Sequence, residues 1–144
     1  MREAGALDEI TVLHQEGDEF AILVRDHVIR VDQPYRSGGR DAGPTPVELF
    51  VASLAACAAH YGRRYLARHG LRSEGLEVTA DYTMSLARPA RIPRVRLQVR
   101  CPTDLPATHL EGLKQAMEGC TVHNTLHRPP AVRLEIEQPA SKAA

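Results

Sequence analysis

Cysteines are the residues of this sequence whose chemistry and placement are most informative. Cys57 lies inside a long run of small and apolar residues, Cys120 follows a glycine, and Cys101 comes directly before a proline. A cysteine thiolate is a nucleophile and a metal ligand, whereas a buried thiol usually packs as a small apolar group. In a reducing compartment, paired cysteines are more often catalytic, redox-active or metal-binding than structural. The sequence therefore indicates thiol chemistry, with simple packing as the ordinary alternative for each cysteine.

Two of the cysteines are each followed by a histidine three residues later. The pairs are Cys57 with His60 and Cys120 with His123. If the two segments meet in space, two sulfurs and two nitrogens converge into a Cys₂His₂ set suited to tetrahedral zinc. The usual zinc-finger spacings are absent, so the metal site stays an alternative hypothesis. The other interpretation is that His60 bonds to the thiol or simply packs, and that His123 lies on the surface.

A long helix is expected to carry Cys57. Thr45 and Glu48 form a capping box with a proline between them at the first helical position, and Gly70 suits the left-handed end after His69. The first half of this helix is almost entirely apolar or small, which predicts that it is buried on all sides.

Strands and a second helix are predicted around it. Apolar or alternating stretches predict strands at residues 9–14, 20–24, 27–31, 76–84, 92–101 and 131–137. Thr108 and Glu111 resemble another capping box, so a second helix is expected from Thr108 to Gly119, with an apolar stripe of Leu110, Leu113 and Met117. Strand runs separated by helices favour an α+β fold, with residues 1–144 as a single domain. A chain of 144 residues has little material to enclose the long helix, which predicts a homodimer.

Composition excludes several classes of partner. The sequence has 18 Lys+Arg and 18 Asp+Glu, so no basic excess points to nucleic acid or to a membrane surface. No apolar run is long enough for a membrane span. The first ten residues carry Glu3, Asp8 and Glu9 without a long apolar core, which is unlike a secretion signal. A cytoplasmic protein is therefore expected.

Two motifs carry a resemblance to a known family. Residues 43–57 read Gly-Pro-Thr-Pro-Val-Glu-Leu-Phe-Val-Ala-Ser-Leu-Ala-Ala-Cys, and residues 120–126 read Cys-Thr-Val-His-Asn-Thr-Leu. The first resembles the start of the central helix in the OsmC/Ohr family of osmotically inducible and organic hydroperoxide resistance proteins. The second resembles that family's Cys-x-Val-x-Asn-Thr-Leu signature, and the order of strands and helices is similar over nearly the whole chain.

The resemblance implies a fold and an activity. The fold would be OsmC-like, with a central helix wrapped by antiparallel sheets in an intertwined homodimer whose subunits share their sites. The activity would be that of a peroxidase without a bound cofactor; the alternatives are the metal site above and a non-enzymatic OsmC-like stress protein that consumes no peroxide. Cys57 would attack the hydroperoxide and become a sulfenic acid, Cys120 would close a disulfide, and an external dithiol would restore both thiols. Cys101 has no counterpart in the two motifs and is interpreted as structural or surface-exposed.

An arginine is expected to keep the attacking thiol ionised, because an apolar helix interior raises a thiol pKa. In the family an early-strand arginine has this role, and Arg25 in Arg25-Asp26-His27 resembles it; its alternative is a solvated turn residue. Arg36 and Arg40 in the glycine-rich loop are rivals, whereas Arg64, two turns beyond Cys57 on the same helix face, is interpreted as a solvated helix-end residue. Glu48 is one position later than the glutamate of Ohr-type members and would face away from the thiol, which favours a generic OsmC-like subgroup. Phe50 and Tyr61 lie on the helix face of Cys57 and are interpreted either as core or as the walls of an apolar pocket that favours organic hydroperoxides.

Overall fold

The computed structural model describes residues 8–140. Within that range the chain forms five strands and three α-helices, with one short 3₁₀ turn at Tyr35–Ser37. In chain order the elements are β1 (Thr11–His14), β2 (Phe20–Val24), β3 (His27–Val31), α1 (Pro46–Arg68), β4 (Glu77–Thr83), β5 (Arg94–Arg100), α2 (Ala107–Glu118) and α3 (Thr121–His127). The sheets are antiparallel, so the predicted α+β class is confirmed.

The first three strands form an antiparallel meander in the order β1-β2-β3. Ile22 on β2 lies opposite Val12 on one side and Ile29 on the other. A two-residue turn, Arg25-Asp26, joins β2 to β3, and Arg25 has a φ of 52°. A positive φ is uncommon for a residue other than glycine, but a tight hairpin turn demands it. The predicted strands at 20–24 and 27–31 are confirmed.

A buried carboxylate organises the loop between this sheet and the long helix. The Asp32 carboxylate accepts backbone N–H bonds from Gln33 at 2.7 Å, Arg40 at 3.2 Å and Ala42 at 3.1 Å. These bonds, led by that of Ala42, lower the pKa of Asp32 against the opposing effect of desolvation. The loop folds back so closely that a side chain at Gly39 would occupy the position of the Gln33 backbone, so glycine is required there.

Helix α1 begins as the sequence predicts. The Glu48 N–H donates to the Thr45 hydroxyl at 3.1 Å, and the Thr45 N–H donates to the Glu48 carboxylate at 2.9 Å. The helix ends before Gly70, whose φ is 66°. Within the chain, however, only one stripe is buried, so the expectation of burial on all sides is wrong for the protomer. The buried stripe consists of Val51, Leu54, Ala58, Gly62 and Leu66.

The remaining elements pack on that stripe. Helix α2 crosses α1 where Gly62 leaves room for Met117, whose sulfur lies 3.0 Å from the place of a Cβ at Gly62. Leu66 and Leu113 are buried between these two helices, and the β4-β5 hairpin adds half-buried side chains to the same core. The hairpin contributes Val78, Val95 and Leu97. No helix among residues 8–140 is long and apolar enough to cross a membrane.

Two local predictions about the second helix are wrong. Helix α2 begins at Ala107, one residue before Thr108, and its N-cap Pro106 makes no side-chain bond. The helix therefore starts on the fixed geometry of a proline rather than on the predicted Thr108 capping box. Leu110, expected in the buried stripe, is 49% exposed, whereas Leu113 and Met117 are buried.

The C-terminal region also differs from the prediction. The residues after Cys120 fold into helix α3, which the sequence interpretation did not include. Residues 131–137 have no strand partner in the described part of the chain, and Val132 is 88% exposed. A strand needs a neighbour for its backbone N–H and C=O groups, and neither described sheet pairs with this segment. The predicted last strand is thus absent from the protomer.

Candidate active site: a thiol pair between two helices

Cys120 sits in a sharp turn between two helices. It follows Gly119, the C-cap of α2, and is itself the N-cap of α3. Its sulfur accepts the backbone N–H of His123 at 3.4 Å, a distance suited to sulfur as a weak acceptor. The residue is fully buried. The turn therefore fixes the Cys120 sulfur against the protein interior rather than presenting it to solvent.

Cys57 lies beside it, although 63 residues separate the two in the sequence. Cys57 is half-buried in the middle of α1 and packs against the same core. That core contains Cys120, and Cys57 is close enough to it to raise the pKa of the Cys120 thiol. Both cysteines are free in this structure. The fold thus brings together the two cysteines that the sequence singled out.

Burial raises the pKa of the Cys120 thiol above its ordinary value. The N–H of His123 opposes this by stabilising the thiolate, and the neighbouring Cys57 adds to the increase because two thiolates side by side repel. The protonated form of Cys120 is consequently favoured at neutral pH. A reaction that needs the Cys120 thiolate would become faster as the pH rises toward this elevated pKa.

A hydrogen bond ties the two helices together next to the sulfurs. Tyr61 lies one helical turn after Cys57, and Thr121 directly follows Cys120. The Tyr61 hydroxyl and the Thr121 Oγ1 are 2.8 Å apart. This bond spans α1 and α3 and limits how far the two cysteines can separate. The sequence predicts Tyr61 only as a core residue or a pocket wall, and no pattern in the sequence pairs it with Thr121.

The candidate arginines occupy different places. Arg25 is exposed at the β2-β3 turn, and no hydrogen bond or ion pair between residues 8 and 140 joins it to either thiol. Arg40 pairs with Glu16 at 3.0 Å, so it fastens its loop to the first sheet. Arg36 is close enough to Glu48 to help lower the pKa of that carboxylate, after the larger effects of the Thr45 bonds. Within one chain, therefore, neither Arg25 nor Arg40 has a contact that would activate Cys57.

The two cysteines and two histidines of the alternative metal site do not converge on one point. Among the described residues no group of three or more His, Cys, Asp or Glu side chains is arranged to hold a metal ion. His60 is exposed, with its ring edge-on to Tyr61. His123 is turned toward His127, and the two Nε2 atoms are 3.1 Å apart. Both histidines thus have neighbours other than the thiols.

An apolar cavity of about 550 Å³ lies between α1, β5 and α2. Leu54, Leu97 and Met117 are among its walls, and Cys101 borders it. Neither Phe50 nor Tyr61 lines this cavity. Tyr61 borders a second, smaller cavity and Phe50 is 43% exposed, so the two side chains do not share the walls of either cavity. Cys101 is half-buried and packs against the core, in keeping with a structural role.

Comparison with known proteins places this α+β fold and its thiol pair in a defined class. The sequence model for OsmC-like proteins matches residues 38–135, which include both cysteines and all three helices. The chain therefore belongs to the OsmC-like protein family. No curated protein sequence gives a significant match.

Solved structures support the same fold. A Psychrobacter arcticus protein described as an osmotic stress induced and detoxification response protein superposes with a TM-score of 0.77. The two are 17% identical, and the match covers 83% of this chain and 88% of that protein. The organic hydroperoxide resistance protein OsmC of Legionella pneumophila gives a TM-score of 0.64 at 21% identity, over 84% of this chain and 90% of its own. The organic hydroperoxide resistance protein OhrB of Bacillus subtilis gives a TM-score of 0.61 at 20% identity, over 86% of this chain and 94% of its own. At these identities the likeness concerns the fold.

Proposed function

We propose that this protein is a thiol peroxidase that reduces organic hydroperoxides with Cys57 and Cys120. The single observation that carries the proposal is the contact between these two thiols at the junction of α1 and α3. The similarity to organic hydroperoxide resistance proteins from two bacteria supports the substrate class. A peroxide-related stress role follows from the family, and the cysteine roles are our extension of it.

The reaction proceeds in three balanced steps. The Cys57 thiolate attacks the nearer peroxide oxygen, so an S–O bond forms, the O–O bond breaks and the alkoxide leaves as an alcohol after taking a proton. The Cys120 thiolate then attacks the Cys57 sulfur, which forms the disulfide and releases the hydroxyl as water. An external dithiol reduces this disulfide by exchange and is itself oxidised to a disulfide. No bound cofactor takes part.

Exposure supports the assignment of roles to the two cysteines. Cys57 is partly accessible, whereas Cys120 has no exposed surface. A hydroperoxide can therefore approach Cys57 from solvent, and Cys120 can receive only a sulfur already next to it. The raised pKa of Cys120 suits this role as well, since a protonated Cys120 does not compete for the peroxide.

A homodimer would supply what a single chain lacks. The three-stranded sheet has apolar side chains exposed to solvent, and no described helix packs extensively on it. Val12 is 54% exposed, and Ile29 on the same face of the sheet is 39% exposed, so this face presents an apolar surface to solvent. We propose that a second copy covers this sheet and the open side of α1. In that arrangement Arg25 at the sheet's turn would reach Cys57 of the partner subunit and favour its thiolate.

The decisive test counts free thiols after one equivalent of cumene hydroperoxide per subunit. The wild-type protein is expected to lose two thiols rapidly. Cys57→Ser is expected to lose none, and Cys120→Ser is expected to lose one and to leave a sulfenic acid that dimedone traps. Cys101→Ser is the matched control and should lose two thiols like the wild type.

Unchanged thiols in the wild type would overturn the proposal. Zinc content measured on the same sample identifies the rival, because about one zinc per subunit would indicate a metal site at the cysteines. The variants Arg25→Gln and Arg25→Lys test separately whether Arg25 favours the Cys57 thiolate across the proposed dimer. Both should slow the first thiol loss without affecting the second, with the lysine variant less impaired because it keeps the charge.

A further inference from the structure

A second cavity, with arginine side chains in its wall, lies on the side of α1 that also carries Cys57. It has a volume of about 260 Å³ and lies between α1 and the C-terminal end of α2. Two arginines of α1 line it, Arg64 and Arg68, and Gln115 and Gly119 of the α2 region face them. Gly119 directly precedes Cys120, so the cavity begins next to the thiol pair.

Helix geometry aligns this cavity with the reactive sulfur. Cys57, Tyr61, Arg64 and Arg68 follow one another at spacings of four, three and four residues. At 100° per residue these positions fall within about 60° of one another, on one stripe of the helix. Along the helix axis, Arg64 lies about 10 Å and Arg68 about 16 Å from Cys57. An elongated molecule along this stripe would meet the thiol at one end and guanidinium groups at the other.

The charge of the cavity is unbalanced. No Asp or Glu is among its lining residues, and neither Arg64 nor Arg68 makes an ion pair within residues 8–140. Two like charges four residues apart on a helix destabilise it. The helix dipole accounts for Arg68 in the last turn, but its effect fades within that turn and leaves Arg64 unexplained.

The two tyrosine hydroxyls around the cavity are already engaged. The Tyr61 hydroxyl bonds to Thr121, and the Tyr65 hydroxyl lies 3.0 Å from Nδ1 of His109. These two rings therefore form fixed walls. The two guanidinium groups are the cavity's strongest available donors, and their planar geometry matches carboxylate and phosphate oxygens.

We propose that this cavity binds an oxyanion, most simply a carboxylate, carried by an elongated molecule that reacts at Cys57 and Cys120. The inference rests on the proposed thiol chemistry and adds the substrate's charge and length to it. Two kinds of molecule share this chemistry, an anionic hydroperoxide and an anionic dithiol. The anion would anchor either of them about 10 Å from the sulfur.

Matched pairs of substrates show whether the bound anion belongs to the hydroperoxide or to the dithiol. Cumene hydroperoxide is compared with its para-carboxylate, and a reduced Cys-Gly-Pro-Cys-Gly-Gly-Glu-Glu peptide is compared with the peptide in which both Glu are Gln. The wild type is expected to favour the charged member of at least one pair in kcat/KM. The variant with both Arg64→Gln and Arg68→Gln should lose that preference by about tenfold or more, as expected for charge-assisted bonds.

Arg63→Gln is the matched control, because it removes the same charge from the same helix on the opposite side, away from the cavity. It should leave the preference unchanged. A wild type that treats charged and neutral members alike, or a control that loses the preference equally, would overturn the inference. Turnover of neutral cumene hydroperoxide by the wild type and by Arg63→Gln reports on the proposed function itself, because this substrate carries no anion.

A binding measurement tests the oxyanion site without any turnover. Citrate, titrated against the reduced protein and followed by NMR at the arginine Nε–H groups, should shift the Arg64 and Arg68 signals. The signal of Arg63 should stay in place. Citrate that moves none of these signals, or moves all three alike through general screening, would count against the site even if the peroxidase activity is confirmed.

Discussion

The helical body and the N-terminal sheet are built from similar apolar residues but bury them very differently. In the body, Leu66 has 0% of its surface exposed and lies among residues of α1, α2 and the second sheet. In the N-terminal sheet, Val28 is 63% exposed although its strand β3 is paired with β2. One region is therefore complete within a chain, and the other is hydrogen-bonded but uncovered.

This difference assigns separate tasks to the two regions. The body holds both thiols against the core and needs no partner to keep them in contact. The sheet carries the turn with Arg25 and, by our proposal, gains its cover and its function from a second copy. Substitutions in the body should therefore change folding and thiol geometry, whereas those in the sheet should change assembly.

The largest expected effect is in the body. Leu66→Ala removes a fully buried side chain and leaves a cavity between α1 and α2, which should lower the free energy of unfolding by about 3–4 kcal/mol. Urea denaturation followed by circular dichroism measures this change. Val28→Ala in the sheet is the control and should change unfolding by less than about 1 kcal/mol per protomer, while weakening the dimer in sedimentation experiments.

Equal losses of protomer stability at Leu66 and Val28 would contradict the division between a complete body and an uncovered sheet. A similar loss of dimer affinity from both variants, with folding intact, would do the same.

The next effect concerns the close contact between α1 and α2. The Tyr65 hydroxyl occupies the place that a Cβ would take at Gly112. Gly112→Ala should therefore push the Tyr65 ring aside, break its bond to His109 and cost about 2 kcal/mol, in spite of alanine's better helix propensity. At Gly62 the new methyl meets only the flexible Met117 side chain, so Gly62→Ala should be much closer to neutral. Thermal unfolding of the two variants side by side measures the difference.

The two regions also differ in how far their sequences predict them. The start of α1 was predictable because Thr45 and Glu48 form a local signal, and local bonds decide a helix end. The β2-β3 hairpin was predictable for the same reason, since its turn is only two residues long. Features of this kind depend on residues close together in the sequence.

Features that depend on distant residues were predicted less well. The contact between Cys57 and Cys120 came from family motifs, because no spacing in a sequence shows that residues so far apart will meet. Helix α3 was missed because its threonines, histidines and asparagine are weak helix formers, and its capping atom is a sulfur. The strand expected at residues 131–137 has the right alternation, but alternation alone provides no neighbouring strand.

A smaller effect is expected where α1 and α3 are tied together. Thr121→Val keeps the shape of the side chain but removes the hydroxyl that bonds to Tyr61, whereas Thr121→Ser keeps the hydroxyl. Loss of one such bond costs about 1 kcal/mol, so disulfide formation should slow roughly fivefold in the valine variant. The first thiol loss should stay unchanged, and the serine variant should behave like the wild type. Stopped-flow thiol quenching with dimedone trapping separates the two steps.

If the valine variant slows both steps alike, the bond supports the body generally and does not position Cys120. If the serine variant is as slow as valine, the methyl group of Thr121 matters and the hydroxyl does not.

The smallest expected effect is a pH dependence confined to the body. The pKa of Cys120 is raised in the folded protein, so folding favours the protonated thiol. Its contribution to stability is fully present below the pKa of the unfolded thiol, near 9.0, and is lost as the pH rises through the higher folded value. The urea concentration at the unfolding midpoint of the reduced protein should therefore decrease as the pH is raised from about 9 to about 11. Cys120→Ala, which cannot titrate, should show a flatter profile there, and Cys101→Ala should retain the wild-type slope. Amide protection, that is hydrogen exchange corrected for its base-catalysed intrinsic rate, should accordingly be lost first around α3, while the protection of β2 and β3 stays unchanged; an earlier loss of protection in the sheet than in α3 would place the sensitive group outside the body.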